Sequence, residues 1–117
     1  MTALTINELV KECEDTATRH GFHDTDYWYY DHNDEGKFPD VPARLEASWL
    51  ALVHSEVSEA LEALRNGDKE NFAEEMADIV IRVADICGNL GIDLEKELLR
   101  KMRINKDRDK MHGGKLF

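Results

Sequence analysis

The sequence predicts an all-α protein built as a bundle of four to five helices. Its 117 residues include only two prolines, and no segment shows the alternating, Thr- and Val-rich pattern of a strand. Apolar residues recur instead at every third or fourth position, as on one face of a helix. Because the chain contains no internal repeat and no low-complexity segment, we expect a single domain over 1–117.

Cap and stop signals give the expected boundaries of the helices. Thr5 and Glu8 form a capping box before the first helix, and the third and fourth helices follow Asp68 and Asp93 as N-caps. Glycine follows the first, second and third helices. The expected helices are 6–20, 42–65, 69–90 and 94–109, with a short tail from Gly113. A loop rich in aromatic and acidic residues is expected over 21–41.

Two pairs of acidic residues lie on the second and third predicted helices. Glu56 and Glu59 form an ExxE pair, and Glu75 begins an ExxD pair that ends at Asp78. Residues three positions apart share a helix face, and the short link between the two helices makes them antiparallel. Four carboxylates then converge, and because like charges repel, the cluster needs a cation. Hard divalent cations prefer oxygen ligands, so the sequence predicts a Mg²⁺ site that Mn²⁺ can also occupy.

The position of Glu56 favours a metal ligand over an ordinary surface acid. At about 100° per residue, Glu56 falls inside an apolar arc of its helix, and Glu59 lies at the edge of that arc. The apolar members of the arc are Leu50, Leu52, Val53, Val57, Ala60, Leu61 and Leu64. A charged glutamate that faces a core costs several kcal/mol unless it is paired or coordinated. A solvated surface role is usual for a single helical glutamate, but the second acidic pair makes it the weaker interpretation here.

A basic cluster lies on the fourth predicted helix. Lys101, Asn105 and Arg108 stand at positions i, i+4 and i+7 and therefore share one face. They form either a solvated basic end that stabilises the helix C-terminus or a set of phosphate contacts beside the metal. As phosphate contacts, Lys101 would act as a point charge and Arg108 as a two-pronged donor.

The acidic composition restricts the classes of partner. Lys and Arg total 15 against 25 Asp and Glu, a net charge of −10, which disfavours direct binding to a nucleic-acid backbone or an anionic membrane. No apolar run approaches the roughly 20 residues of a membrane span, and no signal peptide is recognisable. Cys13 and Cys87 are too few for a disulfide framework, and both fall on apolar faces. We therefore expect core cysteines and a cytoplasmic protein.

The third predicted helix is apolar around more than half of its circumference. The residues of this wide arc include Phe72, Ala73, Met76, Ala77, Ile79, Val80, Ile81, Val83, Ala84 and Ile86. A helix that is buried nearly all round needs more neighbours than one small bundle supplies. We therefore expect the chain to oligomerise through helix faces, as a homodimer or a homotetramer.

Three ordered motifs carry a resemblance to a known family. They are the segments 55–65, 74–78 and 101–106. Together they resemble the MazG-like nucleotide pyrophosphohydrolases of the all-α NTP pyrophosphatase superfamily, over roughly 45–117. The resemblance implies that nucleoside triphosphates are hydrolysed between the α and β phosphates, giving a nucleoside monophosphate (or its deoxy form) and pyrophosphate. The site residues that it implies are Glu56, Glu59, Glu75 and Asp78 for Mg²⁺, and Lys101 and Asn105 for phosphate.

The resemblance and the helical geometry together give an expected mechanism. We expect Glu59, rather than Glu56, to help activate a water for attack on the α-phosphorus. Lys101 would stabilise charge on the departing pyrophosphate. Trp49, seven residues before Glu56 on the same face, and Trp28 in the loop are candidates for stacking on the base. Plain core packing is the alternative role for each tryptophan.

Two other classes of protein use acidic helices. A di-iron carboxylate bundle needs Glu-x-x-His on two helices, and no glutamate in this sequence has a histidine three residues later. A non-enzymatic acidic interaction module would explain the net charge of the chain. It would not explain Glu56 inside an apolar arc, so it is kept as the alternative to the enzyme.

Overall fold

The computed structural model describes residues 3–33, 36–37 and 39–108. These residues form five α-helices and no strand, so the predicted all-α class is confirmed. The helices are α1 (Ile6–Arg19), α2 (Asp24–Asp31), α3 (Val41–Arg65), α4 (Lys69–Leu90) and α5 (Leu94–Lys106). In the described part of the chain, no helix combines the length and apolar character that crossing a membrane requires.

The predicted N-caps form in the structure. The side chains of Thr5, Asp68 and Asp93 each accept a hydrogen bond from the backbone N–H three residues later, at 3.0 to 3.1 Å. These bonds satisfy N–H groups that the first turn of a helix leaves without a partner. Gly91 ends α4 in the left-handed conformation, with φ of 66°, which glycine adopts without steric cost.

Two predicted boundaries differ from the structure. The expected loop over 21–41 contains a helix, Asp24–Asp31, whose acidic and aromatic residues lack a continuous apolar face. Its formation therefore depends on contacts with the rest of the chain. The last helix ends at Lys106, before the expected 109. Residues from 109 onward, including the expected tail, lie outside the described residues.

Helix α4 lies between α1 and α3 and packs most extensively against these two. The buried apolar cluster between α1 and α4 consists of Val10, Cys13, Ala84 and Cys87. Both cysteines are free and buried, as expected. The two helices approach closely at Gly88, where an added Cβ would lie 2.9 Å from Glu14 Cβ. A glycine at this position therefore sets the distance between α1 and α4.

Helices α3 and α4 form a hairpin, because only residues 66–68 connect them. The buried residues of α3 are Trp49, Glu56, Ala60 and Ala63. The apolar residues Leu50, Val57, Leu61 and Leu64 are exposed instead. The buried face of α3 is thus narrower than the predicted apolar arc and is centred on Glu56, and the exposed apolar residues form a second stripe.

Candidate functional site

The hairpin brings acids from both predicted pairs together. One carboxylate oxygen from each of Glu56, Glu75 and Asp78 lies within 4.8 Å of the other two. Glu59 is more exposed, but it lies near enough to Glu75 for its carboxylate to raise the pKa of that residue. We call these four residues the acidic cluster. A set of oxygen donors at this spacing suits a hard divalent cation.

Glu75 shows the clearest sign of a ligand position. Its Oε2 atom is buried and has no hydrogen-bond partner among the described residues. The pKa of Glu75 is raised to about 7, mainly by burial, and the neighbouring carboxylates of Glu56 and Glu59 contribute to the same rise. A buried polar atom normally has a partner, so an oxygen without one, among other carboxylates, fits coordination to a cation.

Glu56 is held in its charged form by an arginine from α4. Its side chain is 11% exposed, and Arg82 Nε donates a hydrogen bond of 2.7 Å to Glu56 Oε1. This hydrogen bond is the main reason why the pKa of Glu56 lies below its usual range. The guanidinium carbon of Arg82 also lies 5.4 Å from the centroid of the Phe22 ring, a distance typical of a cation–π contact.

A groove of about 650 Å³ opens beside the acidic cluster, between α1 and the α3–α4 hairpin. Its charged lining residues are Glu12, Glu56, Asp78, Arg82 and Asp85. Its apolar residues are Leu9, Cys13, Ala17, Phe22 and Ile81. A concave pocket with apolar walls and a few polar or charged groups is typical of small-molecule sites. Because carboxylates outnumber the one arginine among its described lining residues, an anionic ligand would need a bound cation there.

A buried polar network lies next to this groove and is centred on His23, whose side chain is fully buried. Its Nε2 lies 2.7 Å from Asp85 Oδ2, and its Nδ1 lies 3.0 Å from Asp26 Oδ2. Trp49 Nε1 donates to Asp26 Oδ2 at 2.9 Å, and Asn89 Nδ2 donates to Asp85 Oδ1 at 3.0 Å. The network joins α2, α3 and α4 by polar contacts in a largely buried region.

The two tryptophans occupy different environments. Trp49 is 5% exposed, and its ring packs edge-on against His23 at 5.3 Å. This packing fits the alternative role of core packing, and stacking of Trp49 on a base stays a prediction. Trp28 is 53% exposed and stacks on His32 at 4.1 Å. Its contact with a base stays a prediction.

The predicted phosphate contacts do not line the groove. Lys101, Asn105 and Arg108 are all exposed. Helix α5 packs mainly against α1, and none of the three residues lines the groove beside the acidic cluster. Their contact with phosphate therefore stays a prediction.

Sequence reasoning did not assign the second set of polar residues around the groove. They are His23, Asp26, Arg82, Asp85 and Asn89. Arg82, Asp85 and Asn89 continue the helical spacing of Asp78, so a polar stripe leading away from the ExxD pair was a usable signal. His23 carried no such signal, because its partner Asp85 lies 62 residues away.

The fold and the acidic cluster first define a class of protein. An all-helical chain that gathers carboxylates beside an open groove is a candidate for an enzyme that binds a metal and an anionic substrate. A family profile then matches residues 30–103, and its description is phosphoribosyl-ATP pyrophosphohydrolase. Since the match covers more than half of the 117 residues, the chain belongs to the phosphoribosyl-ATP pyrophosphohydrolase family.

This membership confirms the resemblance to the MazG-like pyrophosphohydrolases. The matched region contains α3, α4 and both acidic pairs, whereas α1 precedes it. The chain is thus an enzyme of the nucleotide pyrophosphohydrolase type, in a family that is typically metal-dependent. The alternative of a non-enzymatic module is therefore not retained. No curated protein and no solved structure gave a significant match.

Proposed function

We propose that the protein is a Mg²⁺-dependent nucleoside triphosphate pyrophosphohydrolase. It hydrolyses the bond between the α and β phosphates and releases a nucleoside monophosphate, or its deoxy form, and pyrophosphate. The observation that carries this proposal is the convergence of Glu56, Glu75 and Asp78 within 4.8 Å, with one Glu75 oxygen buried and unpaired. Membership of a pyrophosphohydrolase family supports the reaction type.

The acidic cluster would hold the metal. Glu56, Glu75 and Asp78 supply oxygens at a suitable spacing, and Glu59 adds a fourth carboxylate beside Glu75. Bound Mg²⁺, or Mn²⁺ in its place, would neutralise charge on phosphate oxygens and fix the orientation of the triphosphate. Without such a cation, the cluster would repel a polyanionic substrate.

Within this site we assign proton transfer to Glu59. It is the member of the ExxE pair that is exposed to solvent, whereas Glu56 is buried and already paired with Arg82. A solvent-accessible carboxylate beside the metal position is able to accept a proton from an attacking water. The apolar walls of the groove would receive the nucleoside part of the substrate, and the α5 residues Lys101 and Asn105 remain proposed phosphate contacts.

We further propose that the single domain acts as a homodimer or homotetramer in the cytoplasm. The exposed apolar stripe of α3 supports an interface between subunits, since large apolar patches on a small domain are usually covered. The buried free thiols of Cys13 and Cys87 are compatible with a reducing compartment. The net charge of −10 argues against a nucleic-acid or membrane partner.

A substrate screen tests the proposed reaction. Purified protein is incubated with Mg²⁺ and each of the common NTPs and dNTPs, with phosphoribosyl-ATP included because the family carries its name. At least one substrate should give a monophosphate-containing product and pyrophosphate in equal amounts, and EDTA should stop the reaction. Release of orthophosphate and a diphosphate would contradict cleavage between the α and β phosphates.

A further inference from the structure

Arg82 is held at two points and keeps unused donors. Its Nε donates to Glu56 Oε1 at 2.7 Å, and its guanidinium lies 5.4 Å from the Phe22 ring centroid. An arginine side chain has five N–H donors. Across the described residues, the two Nη groups make no hydrogen bond to protein. The guanidinium is thus fixed in place while most of its donors remain available to a ligand.

The position of Arg82 connects the acidic cluster to the groove. Arg82 lines the groove together with Glu56 and Asp78, and it is the sole lysine or arginine among the lining residues in the described part of the chain. Its side chain is 31% exposed, so solvent and ligands reach it. The basic residues of α5 are exposed elsewhere and do not line the groove.

A guanidinium in this position has a specific chemical use. Its planar arrangement of N–H groups matches two oxygens of a phosphate, which a lysine ammonium does not do. The neighbouring carboxylates cannot bind phosphate directly, because carboxylate and phosphate are both negatively charged and repel each other. A phosphate that approaches the acidic cluster through the groove therefore meets one protein cation there, and that cation is Arg82.

We propose that Arg82 binds a phosphate group of the nucleotide through its Nη groups while its Nε remains on Glu56. This inference rests on the proposed function, because it assigns the phosphate subsite of the same groove. It also gives Glu56 two tasks, since the carboxylate that contributes to the metal position also orients the arginine. Arg82 is thus a substrate-binding residue on α4, in addition to the α5 residues that the sequence suggested.

Direct binding measurements with inorganic pyrophosphate test the inference without requiring catalysis. The Mg²⁺–pyrophosphate complex is titrated calorimetrically into the wild type, Arg82→Gln and Arg82→Lys. Arg82→Gln should weaken binding by about tenfold or more, as expected for loss of a charge-assisted hydrogen bond. The affinity of Arg82→Lys for pyrophosphate should lie between those of the wild type and Arg82→Gln, because lysine keeps the positive charge and loses the paired N–H donors. Arg100→Gln, which removes a surface arginine paired with Glu97, is the matched control and should bind like the wild type.

Parallel titrations with Mg²⁺ alone separate binding from structure. Mg²⁺ affinity should be unchanged or increased in Arg82→Gln, because a cation that competes for Glu56 is gone. Wild-type affinity for pyrophosphate in either Arg82 variant, or no binding of pyrophosphate by the wild type, would overturn the inference. Equal losses of Mg²⁺ and pyrophosphate binding would show that Arg82 has a structural role, and this result would also overturn the inference.

If Arg82→Gln fails to fold, the affinity of Arg82→Lys for pyrophosphate decides the question alone. Arg82-dependent pyrophosphate binding without hydrolysis of any substrate would instead refute the proposed function and leave the inference standing.

Discussion

Glu75 and Arg82 have opposite effects on the charge of the acidic cluster. Burial and neighbouring carboxylates raise the pKa of Glu75 to about 7, so it exchanges its proton near neutral pH. The pKa of Glu56 is shifted in the opposite direction, because the hydrogen bond from Arg82 lowers it. The metal-free cluster thus limits its own repulsion with one proton and one arginine. A bound divalent cation would replace that proton.

The raised pKa of Glu75 predicts how stability depends on pH in the metal-free protein. Between about 4.5 and about 7, the folded state keeps a proton on Glu75 that the unfolded chain has lost. The free energy of unfolding should therefore fall as pH rises through this range. Urea unfolding in EDTA at a series of pH values measures the slope. Glu75→Gln should reduce the slope, whereas the exposed control Glu74→Gln should keep it; equal slopes in both variants would contradict the assignment.

Metal binding should show the reverse dependence on pH. Since a carboxylate must lose its proton before it coordinates a cation, the apparent affinity for Mg²⁺ should rise as pH increases through about 7. Calorimetric titration of Mg²⁺ at about pH 6, 7 and 8 measures this change. An affinity that is independent of pH over this range would indicate that Glu75 is not among the ligands.

Single substitutions in the acidic cluster should each lower activity strongly. The variants are Glu56→Gln, Glu59→Gln, Glu75→Gln and Asp78→Asn. Each should reduce turnover more than about tenfold, a loss of about 1.4 kcal/mol of transition-state stabilisation, because each removes a negative oxygen from the metal position. Glu62→Gln and Glu74→Gln, which alter exposed acids on the same helices, are the controls. Near-normal turnover in any cluster variant would exclude that residue from the site.

At the scale of single elements, α2 depends on the polar network around His23. The helix has no buried residue of its own and packs mainly against α3. His23, directly before it, faces one carboxylate from Asp26 and one from Asp85. Each ring nitrogen lies within hydrogen-bonding distance of one of these carboxylates. The network therefore links α2 to the groove wall, to which Asp85 also belongs.

Replacing His23 should destabilise the protein far more than replacing an exposed histidine. His23→Gln leaves two largely buried carboxylates without their common hydrogen-bond partner, and a buried group that loses its partner costs about 1 to 3 kcal/mol. His54→Gln, on an exposed position of α3, is the matched control. Urea unfolding measures the change in the free energy of unfolding for both variants. A change within about 0.5 kcal/mol for His23→Gln would show that the network does not stabilise the fold.

For the molecule as a whole, the isolated chain is less compact than its length predicts. Its Cα radius of gyration is 17.3 Å, whereas a compact domain of 117 residues is expected to have about 13 Å. Large apolar side chains are also exposed along the hairpin. They include Leu50, Val57, Leu61 and Leu64 on α3 and Met76 and Val80 on α4. Both observations support an oligomer in which a second subunit covers this surface.

A charged substitution in this surface should separate the subunits. Leu61 is 57% exposed in the single chain, and Leu61→Glu would place an unpaired charge in the proposed contact. Size-exclusion chromatography with light scattering should show a smaller species than the wild type. Ser55→Glu adds the same charge on the polar side of α3 and should keep the wild-type mass. Ile81 is less suitable for this test because it also lines the groove. A wild-type protein that is an active monomer at micromolar concentration would contradict the proposed oligomer.

The sequence alone determined the features that depend on residues close together in the chain. The caps at Thr5, Asp68 and Asp93 each act over three residues, so their positions predict where α1, α4 and α5 begin. The spacing of Glu56 and Glu75 within their acidic pairs, and the short link between the two helices, likewise predicted that carboxylates would meet. In the structure, one oxygen from each of Glu56, Glu75 and Asp78 lies within 4.8 Å of the other two, and Glu59 is not part of this group.

Only the tertiary structure decided the features that depend on distant partners. Arg82 meets Glu56 across 26 residues, Trp49 meets Asp26 across 23, and His23 lies 62 residues from its partner on α4. No helical period encodes such contacts, so a polar residue on α4 looks solvated until another helix is placed against it. Helix α2 was predicted as part of a loop for the same reason. A short helix without an apolar face gains its stability from tertiary contacts rather than from its own sequence.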